Sequence, residues 1–202
     1  LVADAQRRCG VTPETFDAIG ISGMMHCYLA FDEADQLLVP FRTWRDTTTG
    51  EASTALTEAF GQNIPLRWSI AHLYQVLLDK EEHASRVDFM TTLSGYVHWR
   101  LTGEKVLGVG DASGMFPVAA DGQQFDPGLL NRFDELAEDT ELSRPLDSIL
   151  PRVLRAGDDA GRLSSEGALL LDPSGRLKPG IRFAPPEGDA GTGMVATNAV
   201  QP

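Results

Sequence analysis

Three short segments of this 202-residue chain bring together residue types that could do chemistry. Glu187-Gly188-Asp189-Ala190-Gly191 sets a carboxylate between glycines, just ahead of a small-residue run that predicts a helix over 192–200. Glycines let a ligand approach the backbone closely. N–H groups at a helix start can receive phosphate, and a carboxylate there could take the proton of a substrate hydroxyl. The plainer alternative is an N-cap aspartate in a turn. Ser22-Gly23-Met24-Met25-His26 lies at the exit of a short apolar run, where a strand that opens at glycine can aim a side chain into a ligand crevice. His26 could equally begin the next strand, merely half buried. Trp44-Arg45-Asp46 joins an aromatic to charged groups, a combination suited to the apolar face and hydroxyls of a sugar. A core tryptophan beside an ordinary loop ion pair is its alternative.

Other patterns carry less. Asp32-Glu33-Ala34-Asp35 spells a helicase box, but no G-x-x-x-x-G-K-[ST] loop accompanies it, so a polar turn is expected. Gly20-Ile21-Ser22-Gly23-Met24 lacks the last glycine of a nucleophile elbow. Gly108-Val109-Gly110-Asp111-Ala112-Ser113 has serine where a dinucleotide fingerprint wants glycine. The four histidines show no HExxH spacing, and Cys9 and Cys27 form no CxxC, so no metal cage is expected.

The elements that must position these residues alternate. A helix ends at Gly10, and Thr12-Pro13-Glu14 has the form of a helix start. Residues 18–23 read as a buried strand, and 27–31 with 37–44 as a hairpin-like pair. Helices are expected over 49–60, from a cap at Ser69, over 96–101, over 127–138 and from Ser164 or Ser165 to Leu171. Residues 106–117 read as loop or strand edge, Asp172-Pro173-Ser174-Gly175 as a turn, and 181–184 as a strand. Strands alternating with helices predict an α/β or α+β layered domain. With 17 Lys+Arg against 29 Asp+Glu the net charge is −12, which opposes nucleic acid and anionic membranes as partners. No apolar run reaches membrane-spanning length. With Asp4, Gln6, Arg7 and Arg8, residues 1–10 are not expected to be a signal peptide, and sparse cysteine predicts a reduced, cytoplasmic setting. A start on a helix tail and a stop just after another helix predict a piece of a longer protein.

Taken in order, the segments resemble the amino-terminal domain of the FGGY carbohydrate kinases, a family that includes xylulose, glycerol, gluconate and ribulose kinases. In its xylulokinase-like members a strand ending Ser-Gly-Gln-Met-His precedes one ending Trp-x-Asp-x-Arg. A Leu-Thr-Gly segment, an Asp-x-Ser stretch and a glycine-Asp loop then follow. Here these are Ser22 to His26, Trp44-Arg45-Asp46, Leu101-Thr102-Gly103, Asp111-Ala112-Ser113 and Glu187-Gly188-Asp189-Ala190.

The resemblance implies an α/β, ribonuclease-H-like domain of the actin-like ATPase superfamily, incomplete at its N-terminal edge. Residues 1–202 would form most of the N-terminal domain, with the C-terminal FGGY domain absent. It implies ATP-dependent phosphorylation of a sugar or polyol, with Mg²⁺, by an intact parent of which this piece alone is inactive. Partners would be the sugar or polyol and ATP, without nucleic acid or membrane, and a homodimer is left open. By resemblance Asp189 is the catalytic base, Met25 and His26 contact the sugar, and Asp46 lies near the sugar pocket. Departures from the pattern are Met24 for Gln, Cys27 for Gly, Thr48 for Arg, and Glu-Gly-Asp-Ala where xylulokinases have Gly-Gly-Asp-Asn. They leave two alternatives: a catalytically silent sugar-binding or regulatory protein, and a structural actin-like module. The paired pocket motifs at Met25-His26 and Asp46 oppose the latter.

Overall fold

A computed structural model describes residues 2–199. After a first helix, α1 (Val2–Cys9), the chain enters two short strands, β1 (Ala18–Ile19) and β2 (Ser22–Gly23). Both run parallel to strands near the far end of the chain, β7 (Arg182–Phe183) and β8 (Glu187–Gly188). Ile19 faces Phe183 and Ser22 faces Glu187, so the later strand carries one extra residue between the two pairings. That excess is a β-bulge, and Pro185 and Pro186, which have no N–H to offer a ladder, lie in it. Gly108 N–H bonds Pro186 O at 2.8 Å and brings in β5 (Val106–Gly108), itself parallel to β6 (Arg152–Leu154).

Helices follow the sequence signals closely where those signals are local. In α2 (Gly50–Phe60), Ala52, Leu56 and Phe60 share the buried face, and Gly61 ends the helix at φ 65°. Residues 69–77 of α3 (Ser69–Leu78) are all buried, as a helix apolar on every side requires. Thr92 caps α4 (Leu93–Thr102), Asp126 caps α6 (Pro127–Ala137) with proline at its first position, and Ser164 caps α8 (Ser165–Leu171). The larger core packs α2, α3 and α6 around Tyr28, Met115 and Phe116. Burial of each Leu or Phe there contributes about 1.5–3 kcal/mol. A second core gathers Leu101, Leu163, Ile181 and Phe183 beside the parallel strands.

Long-range pairing overrides several expectations. Residues 11–17 form no helix. The Glu14 carbonyl, which a helix would turn on its own chain, instead accepts Lys178 N–H at 2.8 Å, and its carboxylate meets Lys178 Nζ at 2.7 Å. Ser69 does not cap α3: Trp68 holds that position, and the Ser69 hydroxyl donates to the Cys27 carbonyl at 2.6 Å. The expected pairing of 27–31 with 37–44 forms as antiparallel bridges at Phe31–Leu37 and Tyr28–Arg42, but strand β3 (Leu29–Phe31) also pairs antiparallel with β4 (Phe89–Thr91), a partner the sequence did not suggest. Asp32 builds the expected polar turn by accepting the Ala34 and Gln36 amides. Residues 106–117 hold β5 and a short helix, α5 (Val109–Ala112), followed by the single turn α7 (Leu146–Ile149) beyond α6. The last helix, α9 (Asp189–Ala196), begins three residues earlier than the sequence suggests, and Val200 of the expected helix lies outside the described residues.

His72 on α3 is fully buried, stacked on Tyr28 at 6.3 Å, and neither ring nitrogen has a partner. Burial pushes its pKa down to about 4, against the opposite pull of Asp46. The unfolded chain therefore binds a proton at His72 between about pH 6.5 and 4 while the folded chain does not. That contribution to stability is complete above pH 6.5 and is lost as pH falls towards 4. A shift of this size corresponds to about 3 kcal/mol. Asp111, raised to about 6 by burial, opposes it within the same window. The variant His72→Phe is expected to flatten the fall in urea-derived stability between pH 6.5 and 4. A slope as steep as the wild type's would show that His72 contributes nothing to it.

Candidate functional site

Strand β2 delivers Met25 and His26 to the same place where β8 delivers Asp189. The parallel register sets Gly23 beside Gly188, and Asp189 follows at once as the first residue of α9. A side chain on Gly188 would overlap Met25 Cγ, and one on Gly114 would stand 3.0 Å from Met25 Cε. Met25 is thus wedged between the base loop and the turn after α5. Its neighbour His26 adopts φ 57°, a left-handed conformation that is uncommon outside glycine. The His26 ring stacks on Trp68 at 6.4 Å and 8°, and Nδ1 lies 3.0 Å from the Gly114 carbonyl. A carbonyl can only accept, so Nδ1 carries the proton and Nε2 keeps its lone pair. Burial holds the His26 pKa below the usual histidine value, and the Arg67 cation adds to this against the Gly114 carbonyl and Asp189.

Asp189 is exposed, and Gly188 stands at the N-cap of its helix in extended conformation. Thr192, one turn on, shares a 2.6 Å hydroxyl hydrogen bond with Ser22, which ties α9 back to β2. Beside the loop, Glu187 Oε2 accepts the Asp111 N–H at 3.0 Å. Asp111 itself is fully buried beneath these acids. One carboxyl oxygen accepts the Ser94 hydroxyl and, at 2.6 Å, the Thr92 hydroxyl, while Oδ1 has no partner. Burial, reinforced by the Glu187 and Asp189 charges, drives its pKa up to about 6 against those two hydroxyls.

Met25, His26 and Asp189 therefore share one corner of the molecule. Asp46 stands apart: no hydrogen bond or ion pair among the described residues joins it to His26 or Asp189. Its carboxylate accepts the Thr48 amide at 2.9 Å and the Thr48 hydroxyl at 2.6 Å. Burial would raise its pKa, yet those bonds, with His72 and Arg42 nearby, bring it below the ordinary value. Thr48, at the position where the family pattern has Arg, is thus a local partner of Asp46. Trp44 is exposed, under the Arg45 guanidinium at 5.3 Å, rather than in the core. Sequence reasoning assigned no role to Trp68, Glu187, Asp111 or Gly114. The glycine pair at 108 and 110, noticed only as a failed fingerprint, was the available signal for Glu187. Among the described residues no three His, Cys, Asp or Glu side chains are grouped to hold a metal ion.

The model of the FGGY family of carbohydrate kinases, N-terminal domain, matches residues 2–174. That span includes Met25, His26 and Asp46 and ends before Asp189. No curated protein matches the chain by sequence. Among solved structures, xylulose kinase from Rhodospirillum rubrum superposes with a TM-score of 0.78 at 19% identity, covering 100% of this chain and 40% of its own. A xylulose kinase from Brucella ovis gives 0.75 at 19%, over 94% and 37%. Plasmodium falciparum glycerol kinase with ADP gives 0.67 at 15%, over 91% and 36%. The chain spans about two fifths of the length of these structures. The fold is the ribonuclease-H-like, actin-like ATPase α/β fold that they share. The chain belongs to the FGGY family of carbohydrate kinases, in its N-terminal domain.

Proposed function

We propose that the protein carrying this chain is an ATP-dependent kinase of a sugar or polyol, with Mg²⁺, acting in the cytoplasm. Residues 1–202 would be most of its N-terminal domain. The observation that carries the reading is the meeting of Gly188 with Met25 beside His26, which brings an exposed carboxylate close to that pair. Asp189 would accept the proton of the acceptor hydroxyl as its oxygen attacks the γ-phosphorus in line. His26 Nε2, left as an acceptor, suits a sugar hydroxyl donor, and Met25 the apolar face of the same sugar. Asp46 would shape the pocket from further away. Such catalysis is mainly positioning and charge stabilisation. What this chain would contribute is the sugar side: it has no G-x-x-x-x-G-K-[ST] loop, and its Asp-x-Gly-Thr stretch, Asp189-Ala190-Gly191-Thr192, is the base loop itself.

Asp189→Ala in the full-length protein is expected to lower kcat by about 10²- to 10⁴-fold while sugar affinity stays within a few-fold. Turnover near wild type would leave Asp189 as an ordinary helix-start carboxylate. His26→Ala should weaken sugar binding by about 1–3 kcal/mol and nucleotide binding much less. Because the His26 pKa is depressed, wild-type sugar affinity should be flat through neutral pH and fall only below the usual histidine range, as Nε2 gains a proton. Titration calorimetry across pH with both ligands tests this, and equal losses for sugar and nucleotide would count against it. Residues 1–202 alone should show no sugar-dependent ADP release in a coupled assay. A rate near the full-length protein's would refute the idea that the nucleotide side lies elsewhere.

A further inference from the structure

We propose that Glu187 is a positioning residue for Asp189, seated in a cradle that Gly108 and Gly110 hold open. The inference rests on the reading of Asp189 as the base. Neither glycine is needed for its backbone. Gly108 has φ −68° and ψ 150°, which any residue adopts, and neither it nor Gly110 has a positive φ. Gly110 even sits inside α5, where glycine is disfavoured relative to alanine. What both provide is space. A Cβ on Gly110 would stand 2.5 Å from Glu187 Oε2, and one on Gly108 would overlap the Glu187 carboxyl and lie 2.8 Å from the Pro186 carbonyl.

The carboxyl fills that space with Oε2 at 3.0 Å from the Asp111 amide, in a bond that crosses from β8 to α5. The Glu187 amide is fixed as well, donating to Ile21 O at 3.0 Å. Only Gly188 separates Glu187 from Asp189, and Gly188 abuts Met25 on its other side. The loop ahead of the base is therefore gripped by Glu187 on α5 and by Met25 on the sugar side. In this role Glu187 acts as a hydrogen-bond acceptor of a given length, and its charge is not required.

The test uses the full-length protein and the best acceptor from a panel of ketoses, polyols and sugar acids. Glu187→Ala should lower kcat by about 10- to 100-fold, the scale expected when a reacting group is misplaced by an ångström, with the sugar KM within a few-fold. Glu187→Gln, whose amide oxygen can accept the same N–H, should restore most of kcat. Gly110→Ala, which displaces the carboxyl, should resemble Glu187→Ala, and the double variant should be no worse than either single one. Wild-type kcat in Glu187→Ala, no rescue by Gln, or additive losses would overturn the proposal. Amide hydrogen exchange over 187–192, read on the same proteins without substrate, should quicken in Glu187→Ala and Gly110→Ala but not in Glu187→Gln. Unchanged exchange in the alanine variants would also overturn it. A wild-type protein that phosphorylates nothing in the panel would count against the kinase reading alone, since the exchange pattern decides the seat of Glu187 by itself.

Discussion

Two backbone groups around the short helix α5 hold the site together. The Asp111 N–H reaches Glu187 and so fixes the approach to Asp189; the Gly114 carbonyl reaches His26 Nδ1. The turn between them is closed by Gly114 N–H to the Asp111 carbonyl at 3.0 Å. The segments that carry the candidate base and the candidate sugar contacts, with Asp189 lying 163 residues after His26, thus meet on one turn. Helix α5 is fixed from below in turn, because the Asp111 side chain binds the hydroxyls of Thr92 and Ser94 at the start of α4.

Buried beneath an acidic corner, Asp111 is costly in any protonation state. As an anion it leaves Oδ1 without a partner near two other carboxylates; as an acid it gives its hydroxyl hydrogen bonds less charge to work on. The protein also holds His26 in left-handed backbone, with the Trp68 stack and the Gly114 carbonyl on its ring. Left-handed backbone at His26 and an unpartnered carboxyl oxygen on Asp111 thus both lie beside the candidate site.

Features set by neighbours in sequence were legible beforehand. Gly61 and Gly103 end their helices in left-handed conformation, Ser164 caps α8, Pro127 opens α6, and the Asp172 turn forms. Where partners lie far away, reading failed. Glu14 is claimed by Lys178 and Ser69 by the Cys27 carbonyl, and β4, the second partner of β3, went unread. At the site, Met25, His26 and Asp189 stood out because strand exits and glycine loops announce themselves locally. Glu187 did not, since its meaning lies in the missing side chains of Gly108 and Gly110. Asp46 stood out for its company with Trp44, yet its hydrogen bonds go to Thr48.

The bulge at Pro185 and Pro186 makes length, more than composition, the constrained quantity at the end of the sheet. Side chains alternate across a strand with a period of two, so losing one residue there would carry Glu187 to the opposite face. Glu187 would leave its glycine cradle and Gly188 its contact with Met25, although every residue of the acidic loop would still be present. Substitutions across 184–186 that keep the backbone path are compatible with the site. A single-codon deletion there would dismantle it while leaving both hydrophobic cores untouched.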